Sequence, residues 1–259
     1  MHPPRRYAQL PHIPDKVLLA KRLCQCLHPA LPSGVHLKTL ETLELIFARI
    51  GPHCLARDLA FYSEGIFPLY RHASYSVRPV LLDLFERYYV PLGARAVPCL
   101  PGLVLALLSA MEDVGSDFYH RAVKLLDALA ARTPTDAFMA AVWGRLLHNS
   151  TVRYTALSYL SMRFPIRGSD HHSQHQPRRL SATPGAPSGA ASGRGGSSTR
   201  MNISRAAFCP DARRTVIRAL IVALQQGDSL VRRTALEMLL HHSPLPRRAE
   251  SPTLTRLAA

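Results

Sequence analysis

Carboxylates are scarce in this chain: 17 Asp+Glu stand against 32 Lys+Arg in 259 residues, a formal net charge of +15. Hydrolytic and acid/base chemistry needs acidic groups converging in a cleft, and these sit on presumed exposed helix faces. Lysine is scarcer still, since 28 of the 32 basic residues are Arg and four are Lys. There is one Trp, and the five Cys, at 24, 26, 54, 99 and 209, are odd in number and irregular in spacing. That excludes a disulfide framework and fits reduced thiols used as small core residues. Cys24-x-Cys26 is the only local pair, with no second pair and no His at ligand spacing, so no zinc site is expected. No stretch reaches the ~20 uninterrupted apolar residues of a membrane span. The nearest, Val97 to Met111, contains Pro98 and Pro101 and ends at Glu112-Asp113, which reads as a buried helix. Met1-His-Pro-Pro-Arg-Arg leads into no signal-like apolar run, so the cytosol is the default compartment. Phosphate-loop, HExxH, nucleophile-elbow and dinucleotide fingerprints are missing too. The expectation is a soluble non-enzyme with no catalytic residue, no cofactor and no metal.

What is present is helical periodicity. Hydrophobic residues make up 47% of the chain, and over the first 165 residues they recur at the 3.6 period with almost no strand-like alternation. Helices are expected from Asp15 to Leu27, Ser33 to Ile50, Leu55 to Tyr70, Val77 to Val90, Cys99 to Met111, Ser116 to Arg132, Pro134 to His148 and Val152 to Arg163. Asp15 and Ser33 are read as N-caps, Thr133-Pro134 as a cap followed by proline in the first turn, and Gly51-Pro52 as a stop. Asp211 to His242 reads as two more helices, with Asp228 capping the second.

A short pattern repeats along these helices: Val, a basic residue, then leucines, at Val35-His36, Val77-Arg78, Val152-Arg153 and Val231-Arg232, with a weaker member at Arg121. The steps are 42, 43, 32 and 79 residues, a period near 40. That is the period of HEAT or armadillo repeats, in which one helix pair cannot bury its own apolar face and stacks on its neighbours. The expected fold is all-α: a HEAT/armadillo-like α-solenoid of stacked antiparallel helix pairs with a disordered linker. In this reading each Val points inward, and each basic residue bridges to an acid or a carbonyl of the next unit.

Charge divides the chain unevenly. Residues 1–165 hold 18 basic and 12 acidic side chains, whereas 166–259 hold 14 and 5. The stretch after Ile166 is rich in Ser, Gly, Pro, Ala and Arg and too poor in large apolar groups to order itself. The expected organisation is a flexible N-terminus (1–14), a helical-repeat domain (15–165), a disordered linker (166–210), a final helix pair (211–246) and a flexible tail (247–259).

Few residues invite a chemical role. His171, His172 and His175 cluster in the linker without the fixed geometry a metal needs. Arg178-Arg179-Leu180-Ser181 has the form that basic-directed kinases accept, which makes Ser181 a candidate phosphorylation site. Asn149 and Asn202 match the glycosylation pattern, but a cytosolic chain does not meet that enzyme. Trp143 lies one position from the Phe138, Val142, Leu146 stripe and is expected in the core, while Tyr88-Tyr89 could mark an interaction surface.

One run carries a resemblance. KRLCQCLHPALPSGVHLKTLET, from Lys21 to Thr42, is similar to the signature near the start of Dopey proteins. The likeness continues through ARDLAFYSEGIFPLY (56–70), SVRPVLLDLFERYYVPLG (76–93), AVWGRLLHNSTVR (141–153) and, more loosely, DSLVRRTALEMLL (228–240). The resemblance implies the N-terminal domain of a large, peripheral trafficking protein that acts as a non-enzymatic adaptor between endosomes and the trans-Golgi network. It implies a partner resembling Arf exchange factors, kinesin-linked transport machinery, and a location on the cytosolic face of Golgi and endosome membranes. Two departures stand out: family chains run well beyond a thousand residues, so this reads as a short or truncated member, and the linker occupies a place where relatives continue in helix.

The expected function is therefore that of a scaffold whose elongated surface docks protein partners and anionic phosphoinositide membranes. Lys21, Arg22 and Lys38 are the candidate lipid or partner contacts, each basic contact being worth ~1 kcal/mol near an anionic leaflet. The alternatives are an Arg-rich helical protein that binds nucleic acid or another polyanion, or a non-functional truncated product. Interleaved acids and the lack of any recognition pattern weigh against nucleic acid.

Overall fold

A computed structural model describes residues 13–163 and 210–242, and all regular structure among them is helical. In chain order the elements are α1 (Lys16–Cys26), α2 (Ser33–His72), α3 (Val77–Leu84), a π-helical turn (Phe85–Tyr89), a 3-10 segment (Val90–Cys99) and α4 (Leu100–Ser109). After these come α5 (Asp117–Arg132), α6 (Thr135–His148), α7 (Arg153–Arg163), α8 (Pro210–Leu224) and α9 (Ser229–His242). The boundaries follow the expected ones to within a few residues, because Pro, Gly and Asx groups punctuate the apolar stripes. The expected flexible N-terminus, linker and tail fall largely outside the described residues, as do His171, His172, His175, Ser181 and Asn202.

Three caps differ from expectation. Asp15 does stand at the N-cap of α1, but with φ 47 it is left-handed and its carboxylate makes no cap bond. Ser33 is already inside α2, and the extended Pro32 occupies the N-cap position. Thr133 closes α5 rather than opening α6: its hydroxyl donates to the Leu129 carbonyl at 2.7 Å, and Pro134 stands at the N-cap of α6. Asp228 caps as expected, its carboxylate accepting from Leu230 N–H at 2.8 Å.

Gly51 breaks the helical path as its sequence suggests, with φ 72 and ψ 171, a conformation that side-chain-bearing residues rarely adopt. The expected gap does not follow. Pro52 can start a helical turn without its N–H, so α2 resumes at once and runs on to His72. A second distortion was absent from the periodicity. Regular α-helix ends at Leu84, and Val90 N–H donates to the Phe85 carbonyl five residues back. Pro91 lacks an N–H to continue the ladder, which favours the wide turn and the 3-10 segment that follows.

The wide turn seats the aromatic core. Tyr89 is fully buried, 5.5 Å from Phe67 and 5.8 Å from Phe85 by ring centroids, and Phe47 meets Tyr62 and Tyr88 edge-on at 5.6 Å. Tyr89 is thus core packing and not a surface marker, while Tyr88 is half-buried at the core's edge. Trp143 is 3% exposed, as its place in the stripe predicts.

Two rows organise the helices. α2, α4, α6 and α8 pack each on the next, while α3 meets α5 and α7 meets α9 beside them. α5 also leans on the 3-10 segment. The helical stretch Val77–Ala110 is long and apolar enough to span a bilayer, but 56% of its most apolar window is buried inside the fold. Its apolarity is that of a central core element.

Candidate interaction surface

Each repeated basic residue ends on a main-chain carbonyl. His36 Nε2 lies 3.0 Å from the His28 carbonyl, Arg78 Nε donates to Ala73 at 3.2 Å, Arg153 Nε to Leu146 at 2.9 Å, and Arg232 to Gly227 at 3.5 Å. All four acceptors lie at or just past the C-terminal end of the preceding helix, where carbonyls lack helical partners and the macrodipole is negative. The expectation named an acid or carbonyl of the next unit; the carbonyl partners belong instead to the end of the preceding helix, and Arg153 in addition reaches the next pair at Gln226. The valines divide as well: Val77 and Val152 are 0% exposed and Val231 1%, but Val35 is 37% exposed.

Arg153 does most. It is 8% exposed, also reaches the Leu147 carbonyl, and donates to Gln226 Oε1 at 2.6 Å, which ties the α6–α7 turn to the α8–α9 turn. Burial pulls its pKa below the ordinary Arg value. Arg121, the weaker member, bonds to Asp83 and to Glu86 (2.8 Å), so it joins α5 to α3 and the π turn.

A second series runs alongside. Arg87 pairs with Glu44, Arg121 with Asp83 and Glu86, and Arg163 with Asp127, each Arg reaching an acid 35 to 43 residues earlier. These pairs are partly exposed and each is worth little alone. Away from these pairs Lys21, Arg49, Arg71, Arg95, Lys124 and Arg132 stand exposed, as do Glu64, Glu112, Asp113, Asp117 and Asp136.

Sequence reasoning missed the charged cluster at the base of α1. Asp58, in the buried stripe of Leu55, Leu59 and Tyr62, accepts from Lys16 Nζ at 2.6 Å and from Arg57 Nε at 3.2 Å, and Lys16 also sits 5.5 Å over the Phe61 ring. Burial would raise the Asp58 pKa, but the Arg57 and Lys16 contacts outweigh it and hold the carboxyl below its ordinary value. A carboxylate inside an apolar stripe is the signal that could have revealed it.

Of the predicted contact residues, Lys21 and Arg22 are exposed neighbours on α1, and Arg22 donates to Gln25 at 3.1 Å. Lys38 lies on α2 with its charge taken by Glu41 at 2.7 Å. Lys21 lines a shallow, mainly apolar groove with Ile13, Asp15, Lys16, Val17 and Leu18, and Val17 and Leu18 are each 55% exposed. Cys99 lies against the Ala96 carbonyl, and burial pushes its pKa up to about 12. No group of three metal-ligating side chains gathers among the described residues.

Comparison with known proteins places this arrangement. The chain is 48% identical over 144 residues to protein DOP1B of Xenopus laevis and 45% identical over 152 residues to protein pad-1 of Caenorhabditis elegans, which covers 56% and 59% of this chain and 6% of each relative. Protein dop1 of Emericella nidulans is 32% identical over 261 residues, which covers 94% of this chain and 13% of that protein. The chain thus spans a small fraction of the length of the relatives it matches. No solved structure matches. The family model described as Dopey, N-terminal matches residues 4–257, nearly the whole sequence, and the chain belongs to that family.

Proposed function

We propose that this chain is a non-enzymatic adaptor in membrane traffic between endosomes and the trans-Golgi network, built as a HEAT/armadillo-like α-solenoid. The observation that carries the reading is the row order α2–α4–α6–α8. Each member packs on the next, so the core grows by nearest-neighbour burial and the molecule gains surface with every pair added. Such a stack suits gripping by other proteins. Family membership supplies the trafficking context, and with it a large partner resembling Arf exchange factors and kinesin-linked machinery.

Lys21 and Arg22 carry the lipid or partner contact in this reading, beside the exposed Val17 and Leu18, whereas Glu41 already shares the charge of Lys38. Ser181, outside the described residues, is the proposed phosphorylation site. The test compares the wild-type chain with Lys21→Glu/Arg22→Glu in two assays: co-sedimentation with vesicles with and without phosphoinositide, and affinity capture from cells scored for Golgi and endosomal proteins. Wild type enriching such proteins supports the adaptor. No enrichment refutes it, and equal sedimentation with neutral and phosphoinositide vesicles removes the lipid part. Retained polyanion binding with no protein capture would favour the nucleic-acid reading.

A further inference from the structure

The row α2–α4–α6–α8 is asymmetric at its end. α4 lies between α2 and α6, and α6 between α4 and α8, but among the described residues α8 packs principally on α6 and α9. Its buried side consists of Val216, Ala219, Leu220 and Ala223. On the opposite side, at helical spacings of three and four, Arg214, Ile217, Arg218 and Ile221 form one exposed stripe, with the two isoleucines 47% and 46% exposed. Elsewhere Arg87, Arg121 and Arg163 each meet a carboxylate of a neighbouring element. No carboxylate among the described side chains pairs with Arg214 or Arg218. The stripe therefore has the spacing of a helix face that meets a neighbouring helix, and the charge to select an acidic one.

We propose that the α8 stripe docks an amphipathic helix of a partner protein. Apolar residues of that helix at i, i+3/4 and i+7 meet Ile217 and Ile221, and its flanking Asp or Glu side chains meet Arg214 and Arg218. The proposal rests on the adaptor reading and names the chemistry of one partner. Two other occupants fit worse. The chain's own residues 243–259 carry Arg247, Arg248 and Arg256 against Glu250 alone, and three prolines oppose helix formation. A second copy brings its own +15 charge and, in a symmetric contact, sets Arg214 and Arg218 against their counterparts.

The experiment titrates the full chain into two designed fluorescent helical peptides with the same leucine pattern, one flanked by Glu and one by Lys. The Glu peptide should bind and the Lys peptide should not. Arg214→Glu/Arg218→Glu should reverse that preference, and Ile217→Ser/Ile221→Ser should weaken binding about tenfold or more. All four side chains are exposed, and unchanged thermal melting verifies that the variants fold. Equal binding of both peptides, or variants that bind like wild type, overturns the proposal. So does tighter peptide binding after deletion of 243–259, a dimer that the isoleucine variant abolishes, or loss of anionic-vesicle binding in the arginine variant without any peptide binding. If cells still yield Golgi and endosomal partners with both variants, this inference fails and the adaptor reading stands. If wild type captures none while peptide selectivity holds, the adaptor reading fails and the docking stripe remains.

Discussion

Arg153 shows how much a single side chain can organise. Its donors satisfy two carbonyls at the end of α6 and one amide oxygen of the α8–α9 turn. Truncation orphans all three acceptors, so Arg153→Ala should lower stability by about 2 kcal/mol in urea unfolding. Arg153→Lys should recover only part, because an ammonium lacks the planar fork. Asp58 gives a pH prediction of definite sign. Its folded-state pKa lies below the unfolded value near ~3.9, so the unfolded chain binds the proton more readily and stability falls with acidification through that range. Denaturation midpoints measured downward from about pH 5 should fall more steeply for wild type than for Asp58→Asn. The repeated Val-basic motif was legible in the sequence, but its acceptors were not. A basic residue at a helix start faces both the preceding helix end and the next unit, and only three-dimensional closure decides between them. Lys16 and Asp58, 42 residues apart, meet only through the packing of α1 on α2.

Helix borders were legible because Gly, Pro and Asx residues act locally. The π turn was not, since it takes its form from Pro91 together with the aromatic core that draws in Tyr88 and Tyr89. Close approaches between helices were equally hidden. A methyl at Gly102 on α4 would overlap the Phe67 ring of α2, and one at Gly65 would come within 2.8 Å of Cys24 Sγ on α1. Gly144 on α6 has nothing within 4 Å. Two glycines with the same local sequence logic should thus respond oppositely. Gly102→Ala should destabilise by about 1–3 kcal/mol through overpacking, and Gly144→Ala should stabilise by about 0.5–1 kcal/mol through a less entropic unfolded chain. Matched thermal and urea melts decide both.

Packing order along the α2–α4–α6–α8 row sets the stability profile of the described helices. α4 has neighbours on every side and buries all its residues except Pro101, Gly102 and Leu105. α1 and α9 lie at the ends. Native-state hydrogen exchange should be slowest in α4 and fastest in α1 and α9, whereas uniform protection would mean a single cooperative unit without stack-like gradation. Helical periodicity made the all-α class legible, and the order in which the helices pack emerged only from the fold. A further consequence concerns the join between Arg163 and Pro210. α8 seats itself on α6, and α9 on α7, through contacts of their own. The seating of this last pair therefore rests on those contacts and not on its distance along the sequence. A break in the chain between Arg163 and Pro210 should leave that last pair docked, and the two pieces should elute together.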